Sequence, residues 1–346
     1  MKGEIHVTAG LGLFLVAATP SIAQSVPENW FTAKTVPSYL ENIESIEVEF
    51  TSDQKWNREF IRWRDEIGHS LQLRHPDSQC TFRFMECPQG FLFDQTWESG
   101  GRVSRCEWGS YDGKHWHLFN RYNGLNHLEF STRPNPRTVH GQVLSAPYPP
   151  FFEYLFVSGF PMPKKRFQDD IAVYNADWNE LKSVPVWQAM MTRLIRPVEV
   201  VANEDGEPCW YLEVDGGKSP IGKAERARYQ IWFPFESPVF PQRIELTHQE
   251  SGEFIAVLEV KEFVEAPMTE GGKPFLFPSQ WLELAYNCHD TEQGFPNLAY
   301  RTALYQLESL SFNQADESLI SALPNGIRKI ENLDTGAISS FPPKGE

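Results

Sequence analysis

The sequence is short of basic residues. It contains 31 lysines and arginines against 46 aspartates and glutamates, so the formal net charge is −15 over 346 residues. Binding to a nucleic-acid backbone or to anionic lipid head groups needs an excess of positive charge. The composition therefore argues against nucleic acid as the main partner and against electrostatic docking on an anionic membrane.

Motifs that carry chemistry are also missing. The chain has no G-x-S-x-G, phosphate-binding P-loop or dinucleotide-binding glycine pattern. Gly216-Gly217-Lys218-Ser219 superficially resembles a phosphate loop but is interpreted as a turn, and Asp215-Gly216-Gly217 is predicted as a hairpin turn. We therefore predict no cofactor and no catalytic residue, although Glu47 and Glu49 share a strand face. That pair is interpreted as the solvated side of a strand.

Cysteine pairs of the common metal and redox types are absent as well. The five cysteines are an odd number and include no C-x-x-C, which removes the usual zinc and thioredoxin-type interpretations. In a simple meander Cys106 is expected opposite Asp94, away from Cys80 and Cys87. We predict no particular disulfide and interpret the thiols as buried and free.

Long hydrophobic runs are limited to the first residues. An apolar stretch over residues 11–18 follows Lys2 and precedes the small residues Ser21 and Ala23. This pattern predicts a cleaved secretory signal over residues 1–23. No second run of about 18 apolar residues follows, so we expect no transmembrane segment in the mature chain. The protein is predicted to be exported and soluble, either periplasmic or extracellular.

Aromatic residues are abundant, with 25 Phe, 11 Tyr and 11 Trp. This content rules out wholesale disorder. After an opening helix predicted over residues 28–44, the apolar period becomes two, as in Ile46, Val48 and Phe50. Further strands are expected at 58–65, 69–75, 79–87, 91–98, 103–109, 115–120, 126–131, 195–203, 208–215, 226–235, 240–248, 253–263, 275–286 and 300–312. Turn residues between these runs favour antiparallel pairing.

A proline-rich segment interrupts the strand pattern at about residues 132–192. It is interpreted as a partly helical insert that packs on the sheet. No linker or shift in composition separates the two runs of strands. We therefore expect residues 24–346 to form a single β-rich domain.

The closing residues have a recognisable order. Leu310–Asn313 leads to Asp316, to the segment Leu323–Ile330 and to a turn at Asp334–Gly336. This order resembles the LolA-like superfamily of exported proteins, which includes outer-membrane lipoprotein carriers, with Ile320 at a position usually filled by Phe. The resemblance implies an α+β, mainly β fold. In that fold a curved antiparallel sheet forms an unclosed barrel around helices and encloses an apolar cavity.

Aromatic side chains on two neighbouring strands are the candidate wall of such a cavity. Phe82 and Phe84 share one face of their strand, and Phe91, Phe93 and Trp97 share one face of the next. They require cover either from the protein's own helices or from an apolar ligand. Simple core packing is the alternative interpretation of each.

His115 and His117 are weak metal candidates. Residues i and i+2 of a strand point to one side, so both imidazoles face one way, and His127 or His140 is a conceivable third ligand. Exposed or hydrogen-bonded strand histidines are the alternative. We predict no metal.

Three functions remain open at this stage. The first is an exported, non-enzymatic protein that binds an apolar ligand, either a lipid or an acyl-chain-bearing lipoprotein. The second is an exported all-β hydrolase or carbohydrate-active enzyme, for which two carboxylates should converge in a cleft with aromatic platforms. The third is a structural protein of the cell envelope that contacts a partner through its sheet edges or its insert.

Overall fold

A computed structural model gives the fold of much of the chain. The structure describes residues 43–67, 77–87, 89–112, 114–121, 126–132, 194–218, 226–236, 239–266, 274–286 and 299–340. The predicted signal over residues 1–23, the opening helix before residue 43 and nearly all of the insert over residues 132–192 lie outside these ranges.

Strands dominate the described residues, which include one α-helix, α1 (Arg58–Glu66), and one 3-10 helix (Glu317–Leu319). The strands are β1 (Ile46–Trp56), β2 (Asp77–Cys87), β3 (Gly90–Ser99), β4 (Arg102–Tyr111), β5 (Trp116–Arg121), β6 (His127–Ser131), β7 (Glu199–Ala202), β8 (Pro208–Lys218), β9 (Arg226–Pro234), β10 (Arg243–His248), β11 (Phe254–Glu265), β12 (Leu276–Tyr286), β13 (Ala299–Phe312), β14 (Lys329–Asn332) and β15 (Ala337–Ser340).

These strands form one sheet with the order β15-β14-β6-β5-β4-β3-β2-β1-β13-β12-β11-β10-β9-β8-β7. Neighbours run antiparallel except β14 and β6, which run parallel. The sheet is large, curved and unclosed, with β15 and β7 at its edges. The predicted fold class, a mainly β chain with a curved antiparallel sheet, is therefore confirmed. No helix in the described part of the chain is long and apolar enough to cross a membrane.

One face of the sheet, which we call the inner face, carries the larger apolar core. In β1 the residues Ile46, Val48 and Phe50 are buried while Glu47 and Glu49 are partly exposed, as a strand period of two requires. The core continues across β2, β3 and β8–β13 through partners in register. Pairing of β1 with β13 joins the two halves of the chain.

The opposite face, which we call the outer face, carries a smaller apolar core. Its buried members are Met85, Cys87, Leu92, Trp108, Phe119, Leu128 and Ile320. Ile320 follows the 3-10 helix, which Asp316 caps by accepting a hydrogen bond from the backbone N–H of Ser318. The closing segment therefore covers part of the outer face, with Ile320 buried in its core.

Residues 58–65 form α1 and not the predicted strand. Alternation of Ile61 and Trp63 with arginines is typical of a strand, but Asn57 decides the local structure. Its side-chain oxygen accepts hydrogen bonds from the backbone N–H groups of Glu59 and Phe60, which satisfies donors of the first helical turn. Its amide also donates to the carbonyl of Ala299 at 3.2 Å, which ties the start of the helix to β13.

Two further local predictions are wrong. Cys106 pairs with Thr96 and not with Asp94, because the chain turns at Gly100 and Gly101 and the register shifts at a bulge after Trp97. The expected turn at 215–217 is part of β8, which runs on to Lys218 past a register shift between Asp215 and Gly217.

Candidate functional site

The predicted aromatic wall lies on the inner face. Phe82, Phe84 and Phe93 are 0%, 3% and 0% exposed and belong to its core. Trp97 follows on the same strand and is partly exposed. The backbone of Phe91 lies in β3, opposite Glu86, but its side chain lies outside the described residues. The structure thus brings three of the five aromatic side chains together in one buried layer.

Phe50 is the centre of that layer. Its ring centroid lies 4.7 Å from Phe82, 5.5 Å from Trp281 and 5.9 Å from Tyr305. Trp281 and Tyr305 stack at 5.1 Å with an interplanar angle of 9°. Offset and edge contacts of this kind stabilise aromatic packing beyond the area that they bury. The aromatic layer therefore extends from β2 and β3, where it was predicted, across β1 to β13 and β12.

A charged cluster interrupts this apolar layer. Glu283 on β12 accepts a hydrogen bond from Arg301 Nη2 at 2.9 Å and another from the hydroxyl of Tyr305 at 2.9 Å. In the β12–β13 ladder Tyr305 pairs with Trp281, and Ala303 pairs with Glu283. Ala303 is the small inner-face residue between Arg301 and Tyr305. We call Glu283, Arg301 and Tyr305 the inner cluster. Antiparallel register places its members diagonally across one strand pair.

The surroundings of the inner cluster raise the pKa values of both Tyr305 and Arg301. Burial and then the negative charge of Glu283 raise the pKa of Tyr305 well above its ordinary value, so its hydroxyl stays a donor. Burial opposes the charge of Arg301, but Glu283 with the neighbouring tyrosines outweighs this cost and raises the pKa of Arg301. The result is a neutralised ion pair with one carboxylate oxygen held by each partner.

Other polar side chains are buried on the same face. Gln54 is 4% exposed and Gln95 is fully buried. Among the described residues, the Nε2 atom of Gln54, both amide atoms of Gln95 and the Nε atom of Arg301 have no hydrogen-bond partner. A buried polar group without a partner costs free energy. The inner face therefore combines an apolar layer with polar groups whose hydrogen-bonding capacity is unused.

A second cluster of glutamate, arginine and tyrosine side chains lies on the outer face. Glu213 on β8 lies 2.8 Å from Arg196 Nε and 3.3 Å from Arg228 Nη1, and Tyr211 donates to it at 3.4 Å. The Arg196 guanidinium also lies over the Tyr211 ring, 4.7 Å from the centroid. We call these four residues the outer cluster. Unlike Glu283, Glu213 faces two arginines, of which Arg196 is 43% exposed.

The inner cluster could not be identified from sequence pattern alone. In the run from Trp281 to Ala285, apolar residues stand at both odd and even positions. The period of two therefore does not say which face Glu283 occupies. The one available signal is that Arg301, Ala303 and Tyr305 alternate with Thr302 and Leu304, which places an arginine and a tyrosine in one row.

The two metal candidates, His115 and His117, have ring centroids 6.1 Å apart. His115 lies in the turn before β5, where the carboxylate of Asp112 accepts hydrogen bonds from the backbone N–H groups of Lys114 and His115. His117 Nδ1 lies 3.3 Å from Ser110 Oγ. Burial lowers the pKa of His117 against the attraction of Asp112. These contacts fit hydrogen-bonded histidines at a turn.

The conceivable third ligands do not complete a metal site. His127 pairs with Asn120, three residue pairs along the ladder from His117, and its Nε2 lies 3.1 Å from Glu331. His140 lies outside the described residues. In the part of the chain that the structure describes, no three histidine, cysteine or carboxylate side chains are grouped to hold a metal ion.

A small pocket of about 240 Å³ lies at the ends of β1–β3 and is lined in part by Asp53, Asp77 and Glu98. Asp53 accepts a hydrogen bond from Gln79 at 2.9 Å, and Asp77 is paired with Arg58 at 2.8 Å. No aromatic residue is among the described residues that line it. The described part of its lining therefore offers no aromatic platform of the kind that the carbohydrate-active alternative requires.

Of the described cysteines, Cys80, Cys87 and Cys209 are buried thiols outside any disulfide, as interpreted from the sequence. Burial raises the pKa of the Cys209 thiol to about 11. A thiol with so little thiolate is a poor nucleophile. Cys209 therefore acts as a small apolar side chain.

Comparison with known proteins leaves the family unassigned. No protein-family model matches this chain, and no curated protein matches it. Among solved structures, the chain is similar to the crystal structure of a DUF1329 family protein from Desulfovibrio piger. The two are 7% identical with a TM-score of 0.39, over 81% of this chain and 91% of that one.

Proposed function

We propose that this protein is an exported, non-enzymatic binding protein for an apolar ligand, either a lipid or the acyl chains of a lipoprotein. The ligand lies against the aromatic layer of the inner face. The observation that carries the proposal is the extent of this layer, which runs from β3 through β2, β1 and β13 to β12 and continues past the register shift between Glu49 and Phe50.

An apolar sheet face of this size needs cover. The only α-helix among the described residues is α1, which has nine residues and one buried side chain, Phe60. It packs at the end of β1, where the Phe60 ring lies 5.5 Å from that of Tyr300. Phe50, Phe82 and Trp281 are at most 1% exposed without a ligand, so we propose that an acyl ligand takes the place of part of their cover.

Burial of an acyl chain supplies the affinity. Each methylene removed from water contributes about 0.8 kcal/mol, so a dozen methylenes contribute roughly 10 kcal/mol before the cost of immobilising the ligand. This hydrophobic contribution to the binding free energy does not depend on the net charge of the protein. The acidic composition of the chain is therefore compatible with lipid binding in an aqueous compartment.

The carboxylates do not favour an enzyme. Both oxygens of Glu283 are engaged, one by Arg301 and one by Tyr305, so neither is free to accept a proton from a substrate. In the pocket at the ends of β1–β3, Asp53 and Asp77 are likewise engaged by neighbours. The order of the closing segment, which resembles the LolA-like superfamily, adds support for a carrier.

The test is ligand content and uptake. The full chain is expressed with its native leader, recovered from the exported fraction and examined by native mass spectrometry. We expect a lipid adduct, and after delipidation we expect saturable binding of a fluorescent fatty-acid analogue. Recovery without any adduct, combined with no uptake of the analogue, contradicts the proposal.

A further inference from the structure

We propose that the inner cluster holds the polar group of the ligand, and that this group is an uncharged acyl ester or amide and not a free carboxylate. The inference rests on the proposed function and names its ligand class. Arg301 and Gln54 donate hydrogen bonds to the carbonyl oxygens of the ligand, while its acyl chain lies against Phe50, Phe82 and Trp281.

Arg301 has N–H donors that Glu283 does not use. One terminal nitrogen, Nη2, is used by Glu283, whereas Nε has no hydrogen-bond partner among the described residues. The side chain is 25% exposed and that of Glu283 is 16% exposed, so part of the pair is accessible, while the Nε atom itself is buried. A carbonyl oxygen of the ligand gives an arginine N–H the acceptor that it lacks.

Gln54 supplies a second donor in the same row. Ala303 pairs with Gln54 on one side and with Glu283 on the other, so these two side chains stand two strand spacings apart, or about 10 Å. Ala303 between them is the smallest side chain of the row. The Nε2 atom of Gln54 has no partner among the described residues, and it faces the inner side with Phe50 and Ser52.

Charge balance decides against an anionic group. On the inner face of β1, β12 and β13, Glu283 and Arg301 are the only charged side chains, and they neutralise each other. A carboxylate placed there loses its hydration and meets the negative charge of Glu283, without a spare positive charge in these three strands. An ester or amide carbonyl accepts the same hydrogen bonds without that repulsion.

The test compares two lipids of equal chain length. Displacement of a fluorescent probe from the delipidated full chain gives dissociation constants for monopalmitoylglycerol, which is neutral, and for palmitate in mildly alkaline buffer, where it is ionised. We expect the wild type to bind monopalmitoylglycerol at least about tenfold more tightly. We expect Glu283→Gln to move the preference toward palmitate by a similar factor, because it frees the charge of Arg301.

The outer cluster gives the matched control. Glu213→Gln removes the same charge from a glutamate that also faces arginine and tyrosine, and we expect it to leave both dissociation constants unchanged. Circular dichroism confirms folding, and the wild-type preference tests the inference without any variant. Equal binding of the two lipids by the wild type, or an unchanged ratio in folded Glu283→Gln, overturns this inference alone. Binding of neither lipid overturns the proposed function as well.

Discussion

The two faces of the sheet bear tyrosine, glutamate and arginine in similar clusters but in different surroundings. In the outer cluster Glu213 faces Arg196 and Arg228, and Arg196 is 43% exposed. Exposed ion pairs of this kind contribute little to stability because water screens them. In the inner cluster Glu283 faces a single arginine in the middle of an apolar layer. There, the charged groups have lost part of their hydration, so the loss of one hydrogen bond costs more free energy than it does at an exposed site.

The two apolar cores differ in what covers them. The outer core is closed by the chain itself, because Ile320 and the segment around it pack over β2–β6. The inner core is several times larger, and among the described residues no comparable segment lies across it. Described residues therefore account for the burial of the outer core, whereas the rings of the inner core are at most 1% exposed at Phe50, Phe82 and Trp281 with no described segment of that kind over them.

The largest effect is expected at the centre of the inner face. Phe50→Ala removes the ring that contacts Phe82, Trp281 and Tyr305, and a buried Phe→Ala change costs about 3–5 kcal/mol of unfolding free energy. We also expect a marked loss of affinity for the fluorescent fatty acid. Urea denaturation and probe titration measure the two quantities.

Phe119→Ala is the control for Phe50→Ala. Phe119 is 2% exposed and lies in the outer core, so a similar loss of unfolding free energy is expected with lipid affinity retained in the folded protein. If both variants weaken lipid binding equally, the distinction between the two faces fails.

The second effect concerns the cover of the outer face. Ile320 is 2% exposed, and Ile320→Ala leaves a cavity that costs about 2–4 kcal/mol. We expect the closing segment to become more susceptible to proteolysis while affinity for the probe stays unchanged. Limited proteolysis with mass spectrometry checks this, and cleavage that first appears on the inner-face strands is the contrary result.

Much of the fold follows from local pattern, and the exceptions have physical causes. Alternation at Ile46, Val48 and Phe50 predicts β1 and its buried face, because a half-buried strand allows no other arrangement. The same alternation wrongly predicts a strand at 58–65, where the side chain of Asn57 caps a helix. The spacing of apolar residues does not show whether a neighbouring side chain caps a helix, so spacing alone does not distinguish a helix from a strand here.

The site was predicted only where its parts are local in sequence. Phe82, Phe84 and Phe93 belong to a hairpin whose pairing follows from the turn between β2 and β3. Trp281, Glu283 and Tyr305 reach the same layer because β13 pairs with β1, a contact between strands far apart in the chain. No local pattern specifies that contact, so neither the inner cluster nor its charge balance was predicted.

A smaller and more specific effect is expected from removing one hydroxyl on each face. Tyr305→Phe keeps the ring on Trp281 but deletes the 2.9 Å hydrogen bond to Glu283. Because the acceptor is charged and the site is buried, the cost is about 1.5–3 kcal/mol. Tyr211→Phe deletes the longer 3.4 Å contact to Glu213 and should cost about 0.5–1.5 kcal/mol. Equal losses in urea denaturation would remove the contrast between the clusters.

The smallest expected effect on stability concerns Asp94, a carboxyl of the outer face, and tests the difference between the two faces. Burial raises the pKa of Asp94, although Arg83 acts in the opposite direction. A carboxyl whose pKa is raised on folding binds its proton more tightly in the folded state. Its ionisation therefore lowers stability as pH rises through the raised value. Asp94→Asn should be slightly more stable than the wild type at neutral pH.

This advantage of Asp94→Asn should shrink as pH falls toward the ordinary carboxyl value of 3.8 and vanish below it, because the wild-type carboxyl is then protonated in both states. Thermal unfolding across that pH range measures the difference. Glu283→Gln should behave in the opposite way at neutral pH, because it breaks the ion pair with Arg301. A stabilising Glu283→Gln variant would show that the inner cluster is strained rather than satisfied.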